Sequence, residues 1–175
     1  MQPGLKSQQN EELSTKYLCG LTANLLINNG WMMVTAESCT GGMMAAACTD
    51  LPGSSTWFER GFVCYSNASK TEMLGVDVAL IDTFGAVSEP VARAMALGAL
   101  AHAHAQVAIA VTGVAGPGGG SADKPVGTVW FGFTLGQSVS TEAKQFAGDR
   151  AAVRHATVRH ALARVAELIR AKERA

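Results

Sequence analysis

The stretch V-A-I-A-V-T-G-V-A-G-P-G-G-G, residues 107–120, carries an apolar, β-prone run directly into a glycine-rich loop. A short continuous apolar run of this kind predicts a buried strand, here over residues 107–112. Upstream of it, an alanine-rich helix is predicted from Ser88-Glu89-Pro90 to about His104, because serine caps helices well and proline is tolerated in a first turn. A helix that leads into a buried strand is typical of an α/β domain.

Both flanks of this core stretch continue the alternation of strands and helices. Downstream, residues 127–135 and 141–146 predict two further strands, and Asp149 is expected to cap a final helix. Apolar residues recur on one stripe of that helix: Val158, Leu162, Val165 and Ile169.

Upstream, a helix is predicted from about Glu11 to Asn29, and Gly30 follows it as a stop signal. Its apolar residues recur every four positions: Leu13, Tyr17, Leu21 and Leu25. The next predicted elements are a strand (31–36), a helix (43–48), a strand (62–65) and a helix that carries Lys70. The whole pattern predicts a layered α/β/α sandwich with a central mixed sheet of about five strands flanked by helices. The order of the strands does not follow from it.

Composition limits the classes of function that the chain can have. Its 175 residues, 48% hydrophobic and 16% charged, favour one globular domain over residues 1–175 and argue against disorder. Fourteen basic residues balance fourteen acidic ones, so no general field attracts nucleic acid or an anionic membrane. The size is compatible with a homodimer or a higher homo-oligomer.

Targeting and cysteine signals favour a cytoplasmic protein. No apolar run reaches the length of a membrane span, and the polar start M-Q-P-G-L-K-S-Q-Q-N-E-E-L is unlike a signal peptide. The four cysteines have neither metal-ligand nor disulfide-framework spacing, which predicts reduced thiols. No HExxH motif or Cys/His quartet is present, so we expect no metal and no cofactor.

The turn E-S-C-T-G-G, residues 37–42, is the first candidate for chemistry. Ser38 lies between a predicted strand and a predicted helix, where a hydroxyl can face a ligand and the next amides can hold an oxyanion. We expect the amides near Thr40, Gly41 and Gly42 to serve that purpose. The alternative is that Ser38 or Thr40 only caps the following helix.

A serine nucleophile needs a base, and Lys70 is the candidate that the pattern offers. The four histidines lie in predicted helices without a carboxylate pattern, which favours surface or structural roles. Lys70 falls near the first turn of a helix, where the helix dipole disfavours a cation and burial lowers the pKa of an amine. Tyr65, at the end of the preceding strand, can hold or pass a proton. The alternative is an ordinary exposed lysine.

The glycine-rich loop does not match the phosphate-binding motifs that it superficially suggests. The spacing after Gly113 fits neither GxxxxGK[ST] nor GxGxxG. The tetrad Ser121-Ala122-Asp123-Lys124 has SxxK spacing, but Pro125 disfavours a helix at Lys124. The glycines permit close approach of the backbone to a ligand, and a flexible surface loop is the alternative.

Arg150 and Arg154 occupy the start of the last predicted helix, an unfavourable place for cations unless an anion binds there. Free helix amides and arginine together favour a phosphate or carboxylate site. The alternative is a pair of solvated arginines.

Six ordered motifs, spread over about residues 11–170, resemble the CinA C-terminal domain family, which contains the nicotinamide-nucleotide amidohydrolases. They are T-A-E-S-C-T-G-G (35–42), P-G-S-S-x-W-F-E-R-G-F-V-C-Y-S-N (52–67), G-A-V-S-E-P-V (85–91), V-T-G-V-A-G-P (111–117), K-P-V-G-T-V-W (124–130) and F-x-G-D-R (146–150). The resemblance implies metal-free hydrolysis of nicotinamide mononucleotide to nicotinic acid mononucleotide and ammonia, which feeds pyridine nucleotide recycling.

The resemblance also implies roles for individual residues. Ser38 would be the nucleophile, Lys70 the general base and Tyr65 an assistant in proton transfer. Thr112 and Gly113 would line the pocket, and Arg150 would meet the phosphate. Two alternatives stay open: a non-catalytic module that binds pyridine nucleotides or has a regulatory role in competence or DNA damage, and a serine amidase for another small amide.

Overall fold

The computed structural model describes residues 14–174, which form six α-helices and five β-strands in the order α1-β1-α2-β2-α3-α4-α5-β3-β4-β5-α6. The helices are α1 (Thr15–Asn29), α2 (Met43–Thr49), α3 (Asn67–Leu74), α4 (Val78–Phe84), α5 (Glu89–Ala101) and α6 (Arg150–Glu173). The strands are β1 (Met33–Glu37), β2 (Phe58–Val63), β3 (Val107–Gly113), β4 (Thr128–Leu135) and β5 (Ser138–Gln145). The α/β class and the mixed five-stranded sheet are confirmed.

The sheet has the strand order β2-β1-β3-β4-β5. Strand β1 pairs in parallel with β2 on one side and with β3 on the other. Strand β4 runs antiparallel to both β3 and β5. The carboxyl ends of β1, β2 and β3 therefore share one edge of the sheet, and the reversed β4 returns the chain through β5 to that same edge, where α6 begins.

Helices cover both faces of the sheet because β3 is apolar on both of its faces. Val107, Ile109 and Val111 pack in a core with residues of α1, α2 and α6. Ala108 and Ala110 face the opposite core, with residues of α3, α4 and α5. Small side chains on this second face let α5 lie close to the sheet.

Gly132 in β4 is a point of close contact between α5 and the sheet. A Cβ atom at this position would lie 2.4 Å from the carbonyl oxygen of Ala92 in α5. Real contacts of this kind are longer, so the spacing of the two layers depends on the absence of a side chain at Gly132.

Several boundaries and one helix face predicted from sequence were wrong. The buried face of α1 consists of Leu18, Cys19, Thr22, Ala23 and Leu26, whereas Tyr17 is exposed. Strand β1 ends one residue later than expected, and β2 lies earlier than residues 62–65 because its pairing with β1 starts at Phe58. Helix α5 stops at Ala101, short of His104. The predicted start of α1 at Glu11, with Leu13, lies outside the described residues.

The N-cap prediction for the last helix is confirmed, since the side chain of Asp149 accepts a hydrogen bond from the amide of Ala152. The apolar stripe predicted for this helix is buried, and it consists of Val158, Leu162, Val165 and Ile169. Within residues 14–174, no helix combines the length and apolarity that a membrane crossing requires.

Candidate active site

The turns that carry the candidate residues meet at one edge of the sheet. Ser38 directly follows β1, and its amide donates to the carbonyl of Val111 at 3.0 Å, which continues the β1–β3 ladder. Cys64 directly follows β2, and its amide donates to the carbonyl of Glu37 at 2.9 Å. The parallel pairing of the three strands thus brings residues far apart in sequence to one place.

Ser38 and Lys70 form the centre of this edge. The Nζ atom of Lys70 lies 3.1 Å from the Oγ atom of Ser38. Both side chains are buried, with relative exposures of 8% for Ser38 and 1% for Lys70. The proximity that a serine–lysine mechanism requires is therefore present, and the alternative of an exposed surface lysine is wrong.

Two backbone carbonyls hold the amine of Lys70 in place. Nζ lies 3.1 Å from the carbonyl oxygen of Cys64 and 3.2 Å from that of Tyr65. No carboxylate of residues 14–174 forms an ion pair with it. Burial without a counter-charge lowers the pKa of Lys70 below its ordinary value of 10.5.

The neighbours of Lys70 also set the direction in which a proton can move. A neutral amine has two N–H groups and one lone pair, whereas carbonyl oxygens only accept. With both N–H groups directed to the carbonyls of Cys64 and Tyr65, the lone pair is left for the hydroxyl of Ser38. The neutral form of the site therefore has the hydroxyl proton of Ser38 directed to Nζ.

The carboxylate of Glu37 organises the turn that carries Ser38. Glu37 is fully buried and accepts five hydrogen bonds. The donors are the hydroxyls of Thr35 and Thr40 and the amides of Gly42, Met44 and Ala45. An anion in this position satisfies the free amides at the start of α2 and matches the helix dipole. Sequence reasoning missed this role, although a carboxylate just before a helix start was a usable signal.

The expectation for Gly41 and Gly42 as donors to a ligand was wrong. The amide of Gly41 donates to the carbonyl of Ser38 at 3.1 Å, and that of Gly42 to Glu37 at 3.0 Å. Thr40 is fully buried, and its hydroxyl donates to Glu37 at 2.8 Å. These groups build the turn instead of lining the cavity.

The remaining predicted residues do line one cavity, of about 240 Å³. It contains Ser38, Lys70, Tyr65, Thr112, Gly113 and Arg150. Thr112 is buried, and its hydroxyl donates to the carbonyl of Ala86 at 2.8 Å. At Gly113, a Cβ atom would lie 2.7 Å from the side chain of Val129, so only glycine fits there.

Tyr65 occupies a different position from the one expected. Its side chain is 61% exposed, and its hydroxyl accepts a hydrogen bond from Nη2 of Arg150 at 3.3 Å. Lys70 contacts the backbone carbonyl of Tyr65, not its phenol. The phenol therefore belongs to the rim of the cavity, beside the arginine.

Arg150 connects this cavity to a second one of about 650 Å³. The two share Ala115 and Arg150, and the larger one lies between the glycine-rich loop and the start of α6. Nη1 of Arg150 also donates to the carbonyl of Gly116 at 2.9 Å. A ligand that enters the smaller cavity can extend into the larger one past this guanidinium.

Two thiols lie close to Ser38, but neither is suited to act as a nucleophile. Burial raises the pKa of Cys39 to about 12 and that of Cys64 to about 11. The thiolate is the reactive form of cysteine, and these groups hold their protons near neutral pH. The hydroxyl of Ser38 is thus the nucleophile that the cavity offers.

The histidines do not contribute to the cavity lining. His160 lies against the ring of Phe131 and pairs with Glu142 at 2.5 Å, which gives it a structural position. Within the described part of the chain, no group of three or more His, Cys, Asp or Glu residues is placed to hold a metal ion.

Comparisons with known proteins show which family the chain resembles. The family model of the CinA C-terminal domain matches residues 16–169. The nicotinamide-nucleotide amidohydrolase PncC of Enterobacter agglomerans is 60% identical over 126 residues, covering 71% of this chain and 77% of that protein. The PncC of Escherichia coli (strain K12) is 52% identical over 134 residues, covering 76% and 81%.

Solved structures show the same fold. The crystal structure of competence/damage inducible protein CihA from Agrobacterium tumefaciens superimposes with a TM-score of 0.86 at 44% sequence identity. The match covers 88% of this chain and 94% of that one. The likeness therefore extends over nearly all the elements that position the cavity.

Proposed function

The chain belongs to the CinA C-terminal domain family, and from this premise we propose that it hydrolyses the carboxamide of nicotinamide mononucleotide. The products are nicotinic acid mononucleotide and ammonia, and we place the reaction in pyridine nucleotide recycling. Relatives that are 52–60% identical and matched over most of their length carry the name nicotinamide-nucleotide amidohydrolase.

The buried contact of Lys70 with Ser38, at 3.1 Å, is the observation that carries the proposal. Hydrolysis of an amide needs a nucleophile, a base that is neutral near working pH and an acid for the leaving amine. One lysine with a lowered pKa can serve as base and then as acid, and the cavity beside it is small enough to hold a carboxamide-bearing ring.

In the first half of the reaction, Ser38 Oγ attacks the carboxamide carbon and its proton passes to Nζ of Lys70. The new C–O bond leaves a tetrahedral oxyanion. When this intermediate collapses, the C–N bond breaks and the ammonium of Lys70 protonates the leaving nitrogen, which departs as ammonia. The acyl group remains on Ser38, and Lys70 is neutral again.

In the second half, water replaces ammonia beside Lys70. Nζ takes a proton from the water as its oxygen attacks the acyl carbon, and the collapse of this intermediate returns the proton to Ser38 Oγ. The product leaves as a carboxylic acid that loses its proton to solvent and becomes the carboxylate, and the original serine is regenerated. We assign the oxyanion to the amide of Cys39, because Cys39 lines the cavity and the amides of Gly41 and Gly42 are occupied within the turn.

Ammonia release from nicotinamide mononucleotide, followed by mass spectrometry of the products, tests the proposal. Ser38→Ala and Lys70→Ala are expected to lower kcat by about 10³-fold or more, because each removes a reacting group. The exposed Ser55→Ala and Lys144→Ala are the matched controls and are expected to keep wild-type turnover. Near wild-type activity in either site variant contradicts the mechanism. Tight binding of the nucleotide without any product favours the non-catalytic alternative.

A further inference from the structure

Arg154, one turn into α6, contacts the two residues that follow the nucleophile. Its Nε donates to the carbonyl of Cys39 at 3.1 Å, and its Nη2 to the carbonyl of Thr40 at 2.9 Å. These residues are separated from Arg154 by more than a hundred positions in sequence. One planar guanidinium thus spans two consecutive carbonyls of the turn.

The orientation of these carbonyls determines where the neighbouring amides point. A trans peptide unit is planar, with its N–H directed opposite to its C=O. Holding the carbonyl of Cys39 therefore fixes the direction of the Thr40 amide, and holding the carbonyl of Thr40 fixes that of Gly41. Arg154 thus binds carbonyls of the turn, and the carboxylate of Glu37 accepts from the hydroxyl of Thr40 and the amide of Gly42.

The guanidinium of Arg154 also faces the larger cavity, which it lines together with Arg150. Within residues 14–174 its Nη1 has no hydrogen-bond acceptor, and Arg154 forms no ion pair. Asp149 lines the cavity as well, but its Oδ1 accepts from the amide of Ala152. An anion in the cavity would find unused N–H groups on a cation that is already attached to the nucleophile turn.

We propose that Arg154 is a positioning residue that couples a phosphate bound in the larger cavity to the reactivity of Ser38. This inference rests on the proposed function, in which the substrate carries a 5′-phosphate. Charge-assisted hydrogen bonds to the phosphate hold the guanidinium, and the guanidinium holds the carbonyls of Cys39 and Thr40. Binding energy from a remote part of the substrate is thereby used to order the catalytic turn, which raises kcat.

Kinetics of Arg154→Lys separate this coupling from simpler roles. Lysine keeps the charge but offers one compact donor group, which cannot span two carbonyls and a phosphate. On nicotinamide mononucleotide, we expect kcat to fall by about 10- to 100-fold. On the dephosphorylated nucleoside, whose reaction lacks the phosphate contact but still uses the turn held by Arg154, we expect a loss at least about fivefold smaller. Arg159→Lys, an exposed position on the same helix, is the matched control.

Two other kinetic results would overturn the proposed coupling. Equal losses of kcat on both substrates mean that Arg154 only braces the turn. A rise in KM with unchanged kcat means that it only binds phosphate. If wild-type protein releases no ammonia from nicotinamide mononucleotide, the proposed function fails, and the coupling is then decided by a second measurement.

That measurement is the rate at which phenylmethanesulfonyl fluoride labels Ser38, with and without inorganic phosphate. Wild-type protein is expected to be labelled several-fold faster with phosphate, whereas Arg154→Lys shows no such acceleration. Ser38→Ala identifies the labelled residue. Labelling of the wild type that phosphate does not accelerate overturns the proposal, whatever the result with substrate.

Discussion

At the scale of single residues, the chemistry of the cavity depends on one amine kept away from water and from anions. Lys70 is 1% exposed and faces carbonyl oxygens and a hydroxyl, without a carboxylate partner among the described residues. The charged form of such an amine is less favoured than in water, so the folded protein releases the proton at a lower pH than the unfolded chain.

The first prediction is the pH dependence of the reaction. Because the neutral amine is the active base, kcat/KM is expected to rise with pH and to level off, with a midpoint below the ordinary lysine value of 10.5. The exposed Lys144→Ala variant should leave the midpoint unchanged. A rate that is flat from pH 5 to pH 10, measured as ammonia release, excludes Lys70 as the base.

The same pKa shift has a consequence for stability. Between the folded and the unfolded pKa of Lys70, the unfolded chain binds more protons, so the free energy of unfolding increases with pH in that interval. We expect Lys70→Met to remove this increase, which urea unfolding at a series of pH values measures. If Lys70→Met keeps the full increase of the free energy of unfolding with pH, other titrating groups cause that increase.

Glu37 provides a prediction about the turn itself. In Glu37→Gln, an amide group replaces one carboxylate oxygen among donors that all need an acceptor. We expect the free energy of unfolding to fall by about 2–4 kcal/mol, because at least one buried donor is left unsatisfied and a charged acceptor is lost. Urea unfolding measures it, with the exposed Glu72→Gln as control. A loss below about 0.5 kcal/mol, as at ordinary surface positions, contradicts this account.

At the scale of helices and strands, the fold depends on how closely its layers approach. Helix α5 reaches the sheet at Gly132, whereas Gly20 in α1 has open space around the position of a Cβ atom. A methyl group would therefore clash with α5 at Gly132 but meet no other atom at Gly20.

The paired substitutions Gly132→Ala and Gly20→Ala test this difference. Gly132→Ala forces α5 away from β4 and is expected to lower the free energy of unfolding by about 1–3 kcal/mol. Gly20→Ala lowers the backbone entropy of the unfolded chain and is expected to raise it by about 0.5–1 kcal/mol. Thermal unfolding of both variants should show shifts of opposite sign, and shifts of the same sign contradict the packing argument.

The elements also show what local sequence patterns can predict. The apolar run of β3 and the stripe of α6 were found because burial on both faces, or on one helical face, leaves a clear pattern. The prediction for strand β2 was displaced by several residues, since β2 is an edge strand in which the charged Glu59 and Arg60 interrupt the apolar run. Helix α4, only seven residues long, was not predicted.

At the scale of the whole molecule, the site depends on pairing between distant strands. The turns after β1 and β2 and the loop after β3 were each singled out from sequence, and the resemblance supplied roles for Ser38, Lys70 and Arg150. Their meeting requires the order β2-β1-β3 and a reversed β4, which no local pattern determines. The contacts of Glu37 and Arg154 were not predicted for the same reason, because their partners are defined only by the assembled edge.

Burial of the four cysteines gives a prediction for the folded molecule. All four are free thiols with relative exposures of 6% or less. We expect a disulfide reagent such as 5,5′-dithiobis(2-nitrobenzoate) to label native protein at least about 100-fold more slowly than protein in denaturant, because labelling requires opening of the core. Rapid labelling of one or more thiols in native protein contradicts the packing described for these residues.

The carbonyl oxygens that hold Lys70 belong to the main chain, and every amino acid carries one. Replacing the side chain of residue 64 or 65 therefore leaves both acceptors in position, provided that the backbone keeps its path. An engineer who wants an amidase that works at a different acidity cannot delete these contacts by mutation. Mutation can instead change the apolar groups packed around the amine, which determine how much water reaches it and therefore its pKa.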